Sequence, residues 1–575
     1  MRLPDVPGRP PDGLESLHTT ITTTDTVRLR QDAGGHTEAT RGARGWSLAA
    51  AAVLGLILAG GLAIRLWGVG RGLPYIHEWD EPLVLTWVIG MLQRGDINPS
   101  TFAYPSVYYY ALLPVVYARY WYLHLRGTLP SPWALQLFHP HAAYARYWWY
   151  ISAPSFYLWG RVLTACFGAA TLFVVYRIGT VLFEPAVGLL AAAMLAVTPG
   201  TIYYADTVRV DVPMLFFVML AILAGVNIWR RGDRRAYSRA GLLAGLAIST
   251  KPNAFWLAVP LFLAHLYNPD RDGVIDRRAV RLLLFTLLGF AIGTPYALAQ
   301  VGYFLQRMGQ NAAVYGGFPT LAMWRVGLPL YLGYLVHPAQ GQEWYVIPHV
   351  AIGLAPTIAA VFGAVVGLLW KPREQCYLLS FPLVYFVYTA GQRFLPLRYI
   401  MPVLPFMALS AAVGAVWLWR RLGMVRPAIP AIAMWALAAA GVLLLLVGPM
   451  RDSIGLARAL AGDRDTRSLA VDWLRAHAPP GSTVAFEAEL RWFVPDLNRL
   501  PVTVVYAARG DDGAWYRARH VTFAVVDARS VLRTQDVVLR APSPSYLPSY
   551  DDVATWPPDT FDLVDPPVLI VRNPG

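Results

Sequence analysis

Apolar stretches of about 20 residues recur along this chain from Trp46 to Val447, and no other feature of the sequence limits its fold so tightly. Wound as a helix, such a stretch crosses the roughly 30 Å of hydrocarbon in a bilayer. The competing reading is a soluble protein with many buried helices, and composition argues against it. Of 575 residues, 56% are hydrophobic and 14% charged, with mean hydropathy +0.42. A soluble surface of this extent needs more charge. The net charge of +13 is not a nucleic-acid signal, because the arginines sit in short clusters between apolar spans rather than on one face. Cys166 and Cys376 fall in apolar stretches and define neither a disulfide framework nor a metal site.

The arginines also orient the chain. Arg28, Arg30, Arg41 and Arg44 precede the first span, which places the polar tail 1–45 in the cytoplasm as a disordered segment rather than a signal peptide. The expected spans are 47–67, 157–176, 185–203, 212–229, 240–250, 253–268, 282–299, 347–370, 376–390, 400–419 and 427–448. Every strongly basic short connection then falls on the cytoplasmic side: Arg177, Arg230 to Arg235, Arg271 with Arg277 and Arg278, Lys371 with Arg373, and Arg420, Arg421 and Arg426. Residues 103–125 are apolar enough to imitate a further span, but a crossing there would invert every later loop. Their tyrosines and Trp121 instead suit a helix lying at the outer interface. Residues 240–268 read as two short helices meeting outside near Lys251-Pro252-Asn253.

The expected fold is therefore a polytopic α-helical membrane protein of about eleven transmembrane helices with a small C-terminal soluble α/β domain. The membrane domain covers 46–449, with large outer loops at 68–156 and 300–346, and the extracytoplasmic domain covers 450–575. In that tail an amphipathic helix carrying Leu469, Val471, Leu474 and Ala478 ends at Pro479-Pro480-Gly481. Strand-like runs follow at 483–486, 502–506, 521–526 and 568–571. No nucleotide-binding glycine motif is present.

The segment His77-Glu78-Trp79-Asp80-Glu81-Pro82 gathers four titratable groups about ten residues past the first span. Pro82 fits the first turn of a helix, so Asp80 and Glu81 sit at its mouth, where backbone N–H groups and the helix dipole hold carboxylates. A carboxylate fixed at the membrane surface is suited to act as a general base toward a hydroxyl or amine. A solvated loop is the bland alternative. His77, and likewise His337 and His349 in the fourth outer loop, read more readily as loop histidines than as ligands.

From here the order of motifs resembles a family. One span is followed by Asp80-Glu81, then Gly95 with Asn98-Pro99, then Tyr104-Pro105 before an aromatic stretch. Arg161 with Gly168, Tyr203 to Asp211, Gly241 to Lys251, and Arg398-Tyr399-Ile400-Met401-Pro402 follow in turn. This order resembles the GT-C glycosyltransferases, specifically relatives of protein O-mannosyltransferases and lipid A aminoarabinose transferases. Family members usually carry two prolines before the aromatic helix, whereas here Pro105 is followed by Ser106.

The resemblance implies transfer of a sugar from a polyprenyl-phosphate donor to a glycan, lipid or protein acceptor at the outer face of the bilayer. It implies Asp80 as the base, with Glu81 as its catalytic neighbour, orienting the acceptor or pairing with an arginine. A lipid phosphate leaves readily once positive charge receives it, which suits Lys251, Arg209 and Arg398. His77, Asp211 and Tyr399 are supporting candidates. Direct displacement inverts the anomeric centre, since no second carboxylate is placed as a nucleophile. No cofactor, metal or nucleic acid is expected, and a bacterial plasma (inner) membrane suits the composition. Each residue also has a structural alternative: Arg209 and Asp211 pairing with each other, Lys251 anchoring at the interface, or Arg398 as an idle surface charge. A transporter or flippase, or a non-catalytic scaffold, is the alternative for the whole chain, although no inverted repeat supports the former.

Overall fold

The computed structural model describes residues 48–73, 80–135, 137–138, 150–151, 153–315, 319–337, 350–424, 430–461, 466–487, 500–507, 513–527, 552–556 and 568–572. The chain divides into two compact units, Met1–Leu54 and Gly55–Gly575. The described part of the first is the opening of helix α1 (Leu48–Trp67). The N-terminal tail 1–45, His77 and His349 lie outside the described residues, as does most of the C-terminal tail beyond Asp527.

Among the described residues, each expected span overlaps helix. After α1 come α2 (Asp80–Arg94), α3 (Val107–Leu125), α4 (Ser155–Leu182), α5 (Pro185–Ala196), the short α6 (Pro199–Tyr203), α7 (Asp211–Arg231), α8 (Arg234–Ile248) and α9 (Ala258–Tyr267). They continue with α10 (Arg277–Gly293), α11 (Tyr296–Ala299), α12 (Val301–Tyr315), α13 (Leu321–Val336), α14 (Leu354–Trp370), α15 (Pro372–Ala390), α16 (Leu404–Met424) and α17 (Ala431–Ala461). Among the described residues five helices are long and apolar enough to cross a membrane, or six if one bent pair is counted as a single span. Helix α3 is not among them.

Three local departures have physical causes. The stretch read as one span at 185–203 bends by 62° between α5 and the segment Pro199–Asp206, because Pro199 cannot continue α5. The bend orphans carbonyls at the end of α5, and buried Arg65 of α1 answers them. Its guanidinium donates to Ala196 O at 3.2 Å, Leu195 O at 3.3 Å and the Thr201 hydroxyl at 3.0 Å. A cation at a helix C-terminus also meets the negative end of its dipole. The second departure is α13, an apolar helix inside what sequence treated as an outer loop; Pro329 interrupts its apolar pattern. The third is the pairing of α8 with α10, where Gly245 and Gly289 let backbones touch. A Cβ on Gly245 would stand 2.2 Å from the Thr286 carbonyl, the close approach that small residues permit in membrane helices.

The largest core cluster joins α4, α5, α7, α8, α15 and α16; a second, built from α2, α3 and α4, holds Val84, Leu85, Tyr108, Leu112 and Tyr157. At one end of the bundle, Lys371 Nζ donates to Leu182 O and Phe183 O, Arg230 to Val181 O, and Arg420 pairs with Glu184. These are the basic connections that sequence parity groups on one side.

In the tail, α18 (Thr466–His477) packs on a five-stranded sheet. Its strands in chain order are Thr483–Glu487, Thr503–Ala507, Val521–Asp527, Asp552–Trp556 and Val568–Arg572. The first lies between the second and third and is parallel to both; the fifth pairs antiparallel with the third and fourth. Val471, Leu474, Val484, Phe486, Phe523 and Val525 form its core. The strand at 552–556 was not expected from sequence.

Candidate active site

Five charged side chains from four connections converge at the other end of the bundle. Asp80 opens α2, and its Oδ2 lies 3.2 Å from Arg209 Nη1 and 3.7 Å from Arg398 Nη2. The Tyr104 hydroxyl donates to Asp80 Oδ1 at 3.4 Å. Lys251 Nζ donates to Asp211 Oδ1 at 2.6 Å, and Arg398 Nε stands 4.0 Å from Asp211 Oδ2. Three cations therefore face two carboxylates, leaving one positive charge in excess among these five. All are at least mostly buried, so their mutual fields are weakly screened.

Local sequence explains each placement. Pro252 forces the preceding residue out of the helical region, so α8 stops and Lys251 is extended (φ −152°, ψ 130°). Its ammonium then sits 4.3 Å from the centre of the Tyr399 ring, whose face attracts cations. Pro396 precedes the 3₁₀ segment Leu397–Val403 that presents Arg398 and Tyr399 together. Arg209 leaves the turn after the 3₁₀ segment Tyr204–Asp206, with its guanidinium over Tyr204, and Asp211 begins α7 in the favourable field of that helix N-terminus. Ser106 has a positive role: its N–H donates to Thr294 Oγ1 at 3.0 Å, and that hydroxyl meets Ser249 Oγ at 2.5 Å. A second proline there would have no N–H for this tie between α3, α8 and α10.

Of the two roles read for Glu81, orienting the acceptor or pairing with an arginine, its contacts are those of the second. It is fully buried, and both carboxylate oxygens accept from Arg161 at 2.7 Å, while Oε1 also accepts the Val208 N–H at 2.9 Å. Arg161 continues to the carbonyls of Val69 and Arg71. The pair thus ties the entry of α2 to α4 and to the turn carrying Arg209. The alternative pairing of Arg209 with Asp211 is replaced by Arg209–Asp80 and Lys251–Asp211. His337 ends α13. Sequence reasoning missed Arg65, Arg161 as the partner of Glu81, and Arg71, which lies 3.8 Å from Asp206. Among the described residues no group of three or more His, Cys, Asp or Glu side chains is arranged to hold a metal ion.

Beside the charged cluster opens a cavity of about 350 Å³. Tyr104, Lys251 and Tyr399 belong to both, and Asn253, Asn311, Tyr388 and Gln392 complete its polar lining.

Burial alone would raise the Asp80 carboxyl. The positive charges of Arg398, Arg209 and Lys251, helped by Tyr104, outweigh it and hold the carboxyl below the usual carboxylate range. A group with a depressed pKa is ionised across neutral pH and takes its proton only in acid. Any activity that needs the Asp80 carboxylate should therefore show no acid limb from it between pH 5 and 8 and be lost only in acid. A pH–rate profile for the parent and Asp80→Glu checks this; an inflection near neutrality that moves with the Glu variant would contradict it.

Residues 157–296 match the family model of dolichyl-phosphate-mannose-protein mannosyltransferases. The matched segment contains Arg161, Arg209, Asp211 and Lys251; Asp80 and Arg398 flank it. No curated protein matches the chain. Among solved structures it is similar to ArnT from Cupriavidus metallidurans bound to undecaprenyl phosphate (TM-score 0.48, 15% identity, covering 92% of this chain and 98% of that one). It is also similar to the oligosaccharyltransferase AglB from Archaeoglobus fulgidus in complex with an inhibitory peptide and a dolichol-phosphate (TM-score 0.45, 12% identity, covering 82% and 69%).

Proposed function

We propose that this chain is a GT-C glycosyltransferase, transferring a sugar from a polyprenyl-phosphate donor to an acceptor at the extracytoplasmic face, with inversion, using Asp80 as the base. The observation that carries this reading is the convergence of Asp80 with Arg209, Arg398 and Lys251 at one end of the helical core. The family whose model matches is named for a donor of this class, a dolichyl-phosphate sugar.

In the proposed step the acceptor oxygen or nitrogen attacks the anomeric carbon while its proton passes to Asp80. The bond from that carbon to the phosphate oxygen breaks, and polyprenyl phosphate departs with the electron pair. The three cations receive the charge that develops on the leaving phosphate, so no strong acid is required. Asp80 is a weak base in this field, which suits a transition state whose demand lies in leaving-group departure. Asp211 keeps Lys251 and Arg398 in position, and Tyr399 backs the ammonium.

Two helix interruptions, at 197–198 and 249–251, would also suit a transporter or flippase. One assay separates the readings. Purified full-length protein in lipid is given a radiolabelled polyprenyl-phosphate sugar, and released polyprenyl phosphate, product configuration and donor translocation are followed. Release with inverted product is expected. Translocation without any sugar release would sink the transferase reading.

A further inference from the structure

The basic end of the bundle, opposite the Asp80 cluster, carries arginines where helices do not favour them. Residues 230–239 and 268–281 hold nine arginines and four aspartates. Among the described residues none of the nine takes part in an ion pair; those at this end are Arg420–Glu184 and His265–Asp276. Six of the nine crowd the first two turns of α8 and α10: Arg234, Arg235 and Arg239 on one, Arg277, Arg278 and Arg281 on the other. The two helices run side by side in the same direction. Near their starts Arg281 Nε donates to Arg234 O at 3.2 Å and to Ser238 Oγ at 2.7 Å, and past their ends Ser249 meets Thr294. Arg230, Arg231 and Arg421, by contrast, close α7 and α16, where the helix field favours cations. On α8 and α10 neither first turn holds an acidic residue, and Asp233 and Asp276 are taken up in capping backbone N–H groups. Arg235 with Arg239, and Arg277 with Arg281, are also like charges one turn apart. An anion shared by the two groups of arginines would remove this cost.

The surface next to these cations is apolar. Leu283, Leu284, Leu287, Leu288 and Ile292 of α10 are exposed, and their spacing puts them on one face of the helix. Arg277, Arg281, Leu284 and Leu288 follow one another at steps of three or four, so the arginines head the same stripe. From Leu283 to Ile292 the stripe runs about 14 Å, close to half of the roughly 30 Å of hydrocarbon in a bilayer. A charged head above an apolar run of one leaflet's depth is the complement of a phospholipid. We propose that the paired starts of α8 and α10 bind an anionic phospholipid, its phosphate among Arg234, Arg277 and Arg281 and its acyl chains along the α10 stripe. The site stands apart from the Asp80 cluster and does not rest on the transferase reading.

The test titrates full-length protein, delipidated in a neutral detergent, with dioleoylphosphatidylglycerol, dioleoylphosphatidylcholine or glycerol 3-phosphate. Bound lipid is read by native mass spectrometry beside the thermal midpoint. Phosphatidylglycerol should bind on the order of tenfold more tightly than phosphatidylcholine and raise the midpoint, while glycerol 3-phosphate has little effect. Arg277→Gln/Arg281→Gln should weaken phosphatidylglycerol binding about 30-fold, the worth of two arginines beside anionic lipid. Arg231→Gln/Arg421→Gln, the same change of charge at helix ends that favour cations, should shift it by about threefold or less. Should loss of the Arg281 tie unfold the first variant, Arg235→Gln/Arg277→Gln takes its place. Equal binding of the two lipids, parental phosphatidylglycerol affinity in a folded site variant, or an equal loss in the Arg231/Arg421 variant overturns the inference. Stabilisation by glycerol 3-phosphate that matches phosphatidylglycerol also overturns it, and would assign the arginines to a soluble phosphate.

Discussion

Glu81→Gln is expected to destabilise the protein by about 3–5 kcal/mol, the cost of leaving a buried cation without its anion. Arg161 is 1% exposed and its counter-charge is the Glu81 carboxylate, held in a two-pronged contact at 2.7 Å on each side. Glutamine keeps the shape but surrenders the charge and turns one oxygen into a donor facing another donor. The break reaches three places at once, because the same carboxylate accepts from Val208 and Arg161 holds the turn at Val69 and Arg71. In thermal unfolding of the detergent-solubilised protein the apparent midpoint should fall by several degrees, with loss of activity following loss of fold. A Glu81→Gln protein as stable as the parent, yet inactive, would return Glu81 to the chemistry.

Asp80→Asn should behave in the opposite way. Asparagine occupies the same volume at the mouth of α2, and the side chain is 14% exposed, so the fold survives with a smaller stability change than Glu81→Gln. Turnover should drop by about 10²- to 10⁴-fold, the contribution of a positioned general base. Removing a negative charge from beside Arg209 and Arg398 leaves those cations freer to meet the donor phosphate, so donor affinity should be retained or strengthened. Adjacent carboxylates thus carry different work: one buried and paired across the core, the other lodged among cations at the cavity.

Sequence made the membrane part legible because apolar length and loop charge are local signals. Parity set by the arginines places residues 80, 209, 211, 251 and 398 in connections on one side, and the fold gathers those five side chains. The break at Lys251-Pro252 was readable for the same reason, since proline restricts its predecessor wherever it stands. What sequence did not reveal is pairing across distance. Glu81 and Arg161 are separated by 80 positions, and no pattern in either segment names the other. Arg65 likewise answers carbonyls about 130 residues away. The cavity amides were invisible because Asn253, Asn311 and Gln392 come from three unrelated turns and helices. In the tail, short apolar runs marked four of the five described strands, whereas Asp552-Val553-Ala554-Thr555-Trp556 has too little apolar regularity to declare itself.

The most direct test of the account places parent and Asp80→Asn proteins side by side in lipid with one radiolabelled polyprenyl-phosphate sugar, measuring donor binding and polyprenyl-phosphate release in the same samples. The account predicts that the variant binds the donor at least as tightly as the parent and releases polyprenyl phosphate at least about a hundredfold more slowly. Release at the parental rate from a well-folded Asp80→Asn protein would contradict it.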